Sequence, residues 1–179
     1  MKRLIIPLIL FLFLVLEGVA LELLPVSLVK GELVIVPHWV LGILLFLAIF
    51  YDRENTYYSI LYGLLFGLLI DIVYTGVLGV YMFTYGLVTY GTHGLTKMFH
   101  ANIFTALLLG MAGLLLAELS INTIFSVVGI AEMPWREYLL FRMVPTVIAN
   151  LLFMIIVYPF LGKRFVNWGE EHLARDTAF

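Results

Sequence analysis

The 179-residue chain contains no cysteine, which excludes disulfides, thiolate metal sites and a cysteine nucleophile. Charge is scarce as well: Asp, Glu, Lys and Arg make up 12% of the residues, against 63% hydrophobic. So little charge on so apolar a chain excludes an ordinary soluble domain and points to an integral membrane protein. The length leaves room for one compact unit and for no separate soluble domain of useful size. The net charge of −2 says little, because the placement of Lys and Arg matters more than their sum in a membrane protein. No nucleic-acid partner is expected.

Catalytic patterns are lacking too. The histidines at 38, 93, 100 and 172 include no pair four residues apart with the intervening glutamate of a zinc protease helix. Glu170-Glu171 is a paired acidic motif only in form, since it lies in the polar tail. There is no glycine-rich phosphate loop followed by Lys and Ser or Thr. Ser27, Ser59, Ser120 and Ser126 have no plausible base beside them. Ser120 stands between Glu118 and Asn122, but successive helical positions point apart. The expectation is a protein that is not an enzyme and needs neither cofactor nor metal.

What is present is a series of apolar stretches near the length that crosses a bilayer. Six candidate spans follow: Leu4–Leu24, Leu33–Tyr51, Tyr57–Tyr74, Val77–Tyr90, Ile103–Val127 and Tyr138–Leu161. The fourth is diluted by Thr84, Thr89 and glycines, so it either extends to Leu95 or breaks near Gly91. Lys2-Arg3 followed by an apolar run has the form of a signal peptide. Glu17 and Glu22 crowd its only small-residue site, Gly18-Val-Ala20, so it reads as an uncleaved first helix. With the N-terminus inside, Lys2, Arg3, Arg53, Lys97, Lys163, Arg164 and Arg175 are cytoplasmic; Lys30, Arg136 and Arg142 lie on the other side. That asymmetry places both termini in the cytoplasm. The expected architecture is all-α: a single six-helix membrane domain over residues 1–179, with 162–179 as a cytoplasmic tail. In that tail Phe165, Trp168, His172 and Leu173 recur at helical spacing beside Lys163, Arg164 and Arg175. It either lies on the membrane surface or is an ordinary solvated tail.

Two groups of residues stand out inside the spans. Gly63, Gly67 and Asp71 are spaced by four, so a helix puts them on one face, and a turn around Thr75-Gly76 leads into Gly79 and Tyr81. Glycines on such a face mark close helix approach. Asp71 has two readings: an intramembrane functional carboxylate, or a cap for the turn. The second group is polar and confined to the outer half of the bilayer: Glu17, Glu22, Asp71, Glu118, Asn122 and Arg142. Glu17 is about 13 residues into its helix, past the midplane at roughly 1.5 Å per residue. Glu118 is the expected partner of Arg142, because their helices are consecutive. The group reads either as an ion-paired packing knot or as the lining of a cavity.

The run Gly63–Tyr81, preceded by Pro37 and a second helix ending Tyr51-Asp52-Arg53, resembles the rod shape-determining protein MreD family. The matching positions are Gly63, Gly67, Asp71, Gly79 and Tyr81, with Tyr85 one turn on. Length, basic N-terminus and long fifth and sixth helices fit as well. The resemblance implies a non-enzymatic scaffold of the bacterial cell-wall elongation machinery, in the cytoplasmic membrane. It implies MreC as partner, near RodA with its penicillin-binding protein and the MreB cytoskeleton. A homodimer is compatible with the same features. The family's fold is similar to the substrate-binding subunits of energy-coupling-factor transporters, so a vitamin-type transporter subunit is the rival reading. Against it, the outer connections Pro25–Glu32 and Gly129–Glu137 are short.

Overall fold

The computed structural model describes residues 4–23, 33–52, 56–131 and 133–176. These form helices α1 (Ile5–Leu23), α2 (Trp39–Tyr51), α3 (Tyr58–Thr75), α4 (Val80–Thr96), α5 (Ile103–Val128) and α6 (135–176). Helices α1, α3, α5 and α6 are each long and apolar enough to cross a membrane. We call the end where α1, α3 and α5 start basal and the opposite end distal.

α2 is the hub. Every residue from Val40 to Tyr51 is buried, and the helix touches all five others. A helix that is apolar all round belongs in the centre of a bundle. Between lipid-soluble surfaces the cohesion comes from close packing rather than from expelling water. Gly42 admits Phe153 and Met154 of α6, and Gly113 of α5 admits Leu45 and Val88.

The sequence pattern predicts a second helix from Leu33, and the structure corrects this. Residues 33–38 are not helical, and α2 begins only at Trp39. Pro37 supplies no N–H and pushes Val36 out of the helical region, while Val34, Ile35 and Val36 are β-branched. The 13 helical residues would cover only about 20 Å, less than the ~30 Å hydrocarbon core. The non-helical residues 33–38 precede them.

Non-helical backbone at membrane depth must find partners within the protein, and α6 provides them. Pro145 cannot donate to the carbonyl of Phe141 one turn earlier, and that carbonyl accepts the Val34 N–H at 2.8 Å. Thr146 Oγ1 accepts from Val36 N at 3.1 Å. Asn150 is bifunctional: Oδ1 accepts from His38 N at 2.7 Å, and Nδ2 donates to Val36 O at 2.8 Å. The segment lies along α6 as though against a neighbouring strand, and both then run parallel toward the basal end.

α3 and α4 form a tight antiparallel hairpin. Gly76 and Gly79 adopt φ of 67° and 98°, a region that favours glycine. A Cβ added to Gly67 would lie 2.6 Å from the Tyr81 carbonyl oxygen, and one on Gly63 would lie 3.1 Å from that of Tyr85. The two backbones therefore meet with nothing between them. α4 starts three residues later than expected and continues through Gly91 to Thr96.

At the basal end Asp52 accepts from the N–H groups of Tyr58 (3.2 Å) and Ser59 (2.8 Å), satisfying the start of α3. Burial lifts its carboxyl above the usual range, against the pull of those hydrogen bonds. Over its described part the tail continues α6, which runs to Asp176 with Phe165 buried. A Cβ on Gly169 would stand 3.0 Å from the Tyr51 carbonyl. The side chains of His172, Leu173 and Arg175 lie outside the described residues.

Candidate functional site: a buried polar network below a distal cavity

Glu118 of α5 is 1% exposed and stands at the centre of the network. His38 Nε2 is 2.6 Å from its Oε1, and the Tyr138 hydroxyl bonds its Oε2. The same hydroxyl is 2.8 Å from the Glu118 carbonyl oxygen, which ties α6 to α5. An ionised carboxylate only accepts, so His38 Nε2 is the donor to Glu118, while Nδ1 on the other side of the ring stands 3.0 Å from the Tyr85 hydroxyl. His38, the residue before the first turn of α2, thus joins α2, α4 and α5. A buried carboxylate without such partners is costly.

Arg142 meets this network loosely. Its Nε is 3.8 Å from Glu118 Oε2, beyond hydrogen-bond range, and its guanidinium carbon is 5.5 Å from the Tyr138 ring centroid. Its side chain is 27% exposed. Asn122, one turn beyond Glu118, is 5% exposed, and its Nδ2 has no hydrogen-bond partner among the described residues.

The other members of the expected outer group are placed elsewhere. Glu17 accepts from Val40 N at 3.2 Å, so its carboxylate sits at the positive end of α2. Glu22 is exposed and outside the network. Asp71, with no exposed surface, caps α4: it accepts from Gly79 N (2.8 Å), Tyr81 N (2.9 Å) and Met82 N (3.1 Å). Of the two readings of Asp71, the geometry is that of the cap. The residues to which sequence reasoning gave no role are His38, Tyr138, Thr146 and Asn150. Thr146 and Asn150 carry a legible signal, polar groups one turn apart in an apolar span, with Pro145 beside them. His38 follows the only proline of its span.

Above the network, at the distal end, lies a cavity of about 690 Å³, lined by Tyr81, Ile121, Asn122, Phe125, Tyr138 and Arg142 among others. Among the described residues, no group of three or more His, Asp or Glu is disposed to hold a metal ion.

The family model for the rod shape-determining protein MreD matches residues 2–166. The chain belongs to the MreD family. A relative is the rod shape-determining protein MreD of Bacillus subtilis (strain 168). It is 29% identical over 161 residues, which cover 89% of this chain and 92% of the relative. No solved structure matches. Membership makes this a multi-pass bacterial membrane protein of the rod-shape class. For this MreD-family chain the motif positions Gly63, Gly67, Asp71, Gly79, Tyr81 and Tyr85 acquire physical roles. The glycines let α3 and α4 touch, Asp71 and Gly79 build the turn between them, and Tyr85 reaches His38.

Proposed function

We propose that this protein is a non-enzymatic scaffold of the cell-wall elongation machinery in the bacterial cytoplasmic membrane, and that it binds MreC. It would act as one domain with six spans and both termini cytoplasmic, beside RodA with its penicillin-binding protein and the MreB cytoskeleton. The observation that carries the reading is the MreD family match across nearly the whole chain. The geometry supports it. Tyr85, His38 and Glu118 have the hydroxyl–imidazole–carboxylate order of an activated nucleophile, but Tyr85 and His38 have no exposed surface. A nucleophile has to reach its substrate; here the three side chains pin α4, α2 and α5 together. The similarity to transporter substrate-binding subunits and a homodimer belong to the same proposal.

Co-expression with an MreC-type protein and purification in mild detergent test it. A stoichiometric complex is expected. Failure of two intact proteins to co-purify overturns the scaffold reading, and capture of an ATPase module instead would establish the transporter subunit, which the distal cavity otherwise favours.

A further inference from the structure

Of the buried side-chain polar atoms that lack a hydrogen-bond partner among the described residues, two face the distal cavity. Asn122 Nδ2 is a buried donor with no hydrogen-bond partner among the described residues. The buried Nε of Arg142 also lacks a hydrogen-bond acceptor. Buried polar atoms are ordinarily paired, so two orphan donors on adjacent helices lining one cavity need an explanation. Glu118 does not supply it. Its carboxylate is engaged by His38 and Tyr138, and Arg142 Nε stands 3.8 Å away. Arginine keeps its charge, and the long ion pair with Glu118 leaves the Nε donor without a hydrogen bond.

The free chemistry is one-sided. Among the described lining residues there is no acidic side chain, and Arg142 is the one cation. The orphan groups donate and cannot accept. The described lining also combines apolar side chains, Val34, Val77, Ile121, Phe125 and Ile130 among them, with the hydroxyl-bearing Tyr74, Thr75, Tyr81 and Tyr138. The volume falls in the range of small-molecule sites, roughly 300–1,000 Å³, which combine apolar side chains with placed polar groups.

We infer that the distal cavity binds an amphiphilic anion, with a carboxylate or phosphate head held by Arg142 and Asn122 and an apolar body against Ile121, Phe125 and Val77. The head group receives the guanidinium and the amide N–H, and the tail replaces the contacts that the empty wall lacks. This goes beyond the scaffold role and does not depend on it, because complex formation with MreC and occupancy of the cavity are measured separately.

The test uses the full chain in nanodiscs of a zwitterionic lipid, with hexyl phosphate as probe and hexanol as the control of equal apolar length. Saturable binding of hexyl phosphate with a rise in melting temperature is expected, with no saturable response to hexanol. Arg142→Met and Asn122→Leu should each weaken binding at least about tenfold, and Arg142→Lys should lose less than Arg142→Met. Val77→Trp fills the cavity, leaves the polar groups in place and should also abolish binding. Thermal unfolding without probe shows which variants are folded, and the comparison is read on those. Repeating the titration with phosphatidic acid in the nanodisc identifies the source of the head group: competition assigns it to a lipid, and no competition assigns it to a soluble anion. Equal responses to hexyl phosphate and hexanol would overturn the site, as would unchanged affinity in folded Arg142→Met and Val77→Trp.

Discussion

His38 and Arg142 both reach toward Glu118, and their distances and exposures separate what each contributes. The imidazole is fully buried and 2.6 Å from the carboxylate, whereas the guanidinium is partly exposed and 3.8 Å away. Removing one partner of a buried pair costs about 3–5 kcal/mol, because the other is left uncompensated. Partly solvated pairs contribute about 0–1 kcal/mol. His38→Leu is therefore expected to lower stability in detergent by the larger amount and Arg142→Met by the smaller. Adding Glu118→Gln to His38→Leu should recover part of the loss, since the unpaired charge is then gone. Thermal unfolding of the single and double variants checks this ranking. Equal losses for His38→Leu and Arg142→Met would show that the network is centred on the arginine instead.

At the scale of elements, the α3–α4 hairpin and the non-helical entry to α2 stand on different footings. The hairpin is legible in the sequence because its constraints are local: glycines four apart, a carboxylate one turn on, then a glycine-containing turn. The entry to α2 depends on what α6 offers more than a hundred residues later. Apolar content alone makes 33–51 look like an uninterrupted span. The clue is Pro37 behind Val34, Ile35 and Val36, and its meaning emerges only beside Pro145, Thr146 and Asn150. His38 is obscure for the same reason, since its partners come from three other helices. The hairpin also makes a definite prediction. In Gly67→Leu the new side chain would collide with backbone of α4, which cannot rotate away. Overpacking typically costs 1–3 kcal/mol, and rigid backbone pushes the value to about the top of that range or above. Expression and melting temperature should fall before any selective loss of partner binding. A variant with wild-type yield and stability that fails only to bind its partner would mean that this face serves an interface between proteins.

For the whole molecule, the length of α6 bears on orientation. Its 42 residues, 135–176, measure about 63 Å at roughly 1.5 Å per residue, twice the ~30 Å hydrocarbon core. The helix starts at the distal end, so the excess emerges at the basal end, carrying Lys163 and Arg164 and packing Phe165 and Gly169 against the end of α2. Lys97 lies at that end too, where it follows α4. Basic residues concentrate on the cytoplasmic side of membrane proteins, so the basal end is expected to face the cytoplasm. The chain has no native cysteine, and single substitutions therefore report without background. Ala131→Cys, exposed after α5 at the distal end, should react with a membrane-impermeant maleimide in spheroplasts. Lys97→Cys, exposed at the basal end, should react only after permeabilisation. The reverse pattern would invert the molecule and place the anion cavity on the cytoplasmic side. Labelling of both sites before permeabilisation would break the alternation of spans on which the six-helix topology rests.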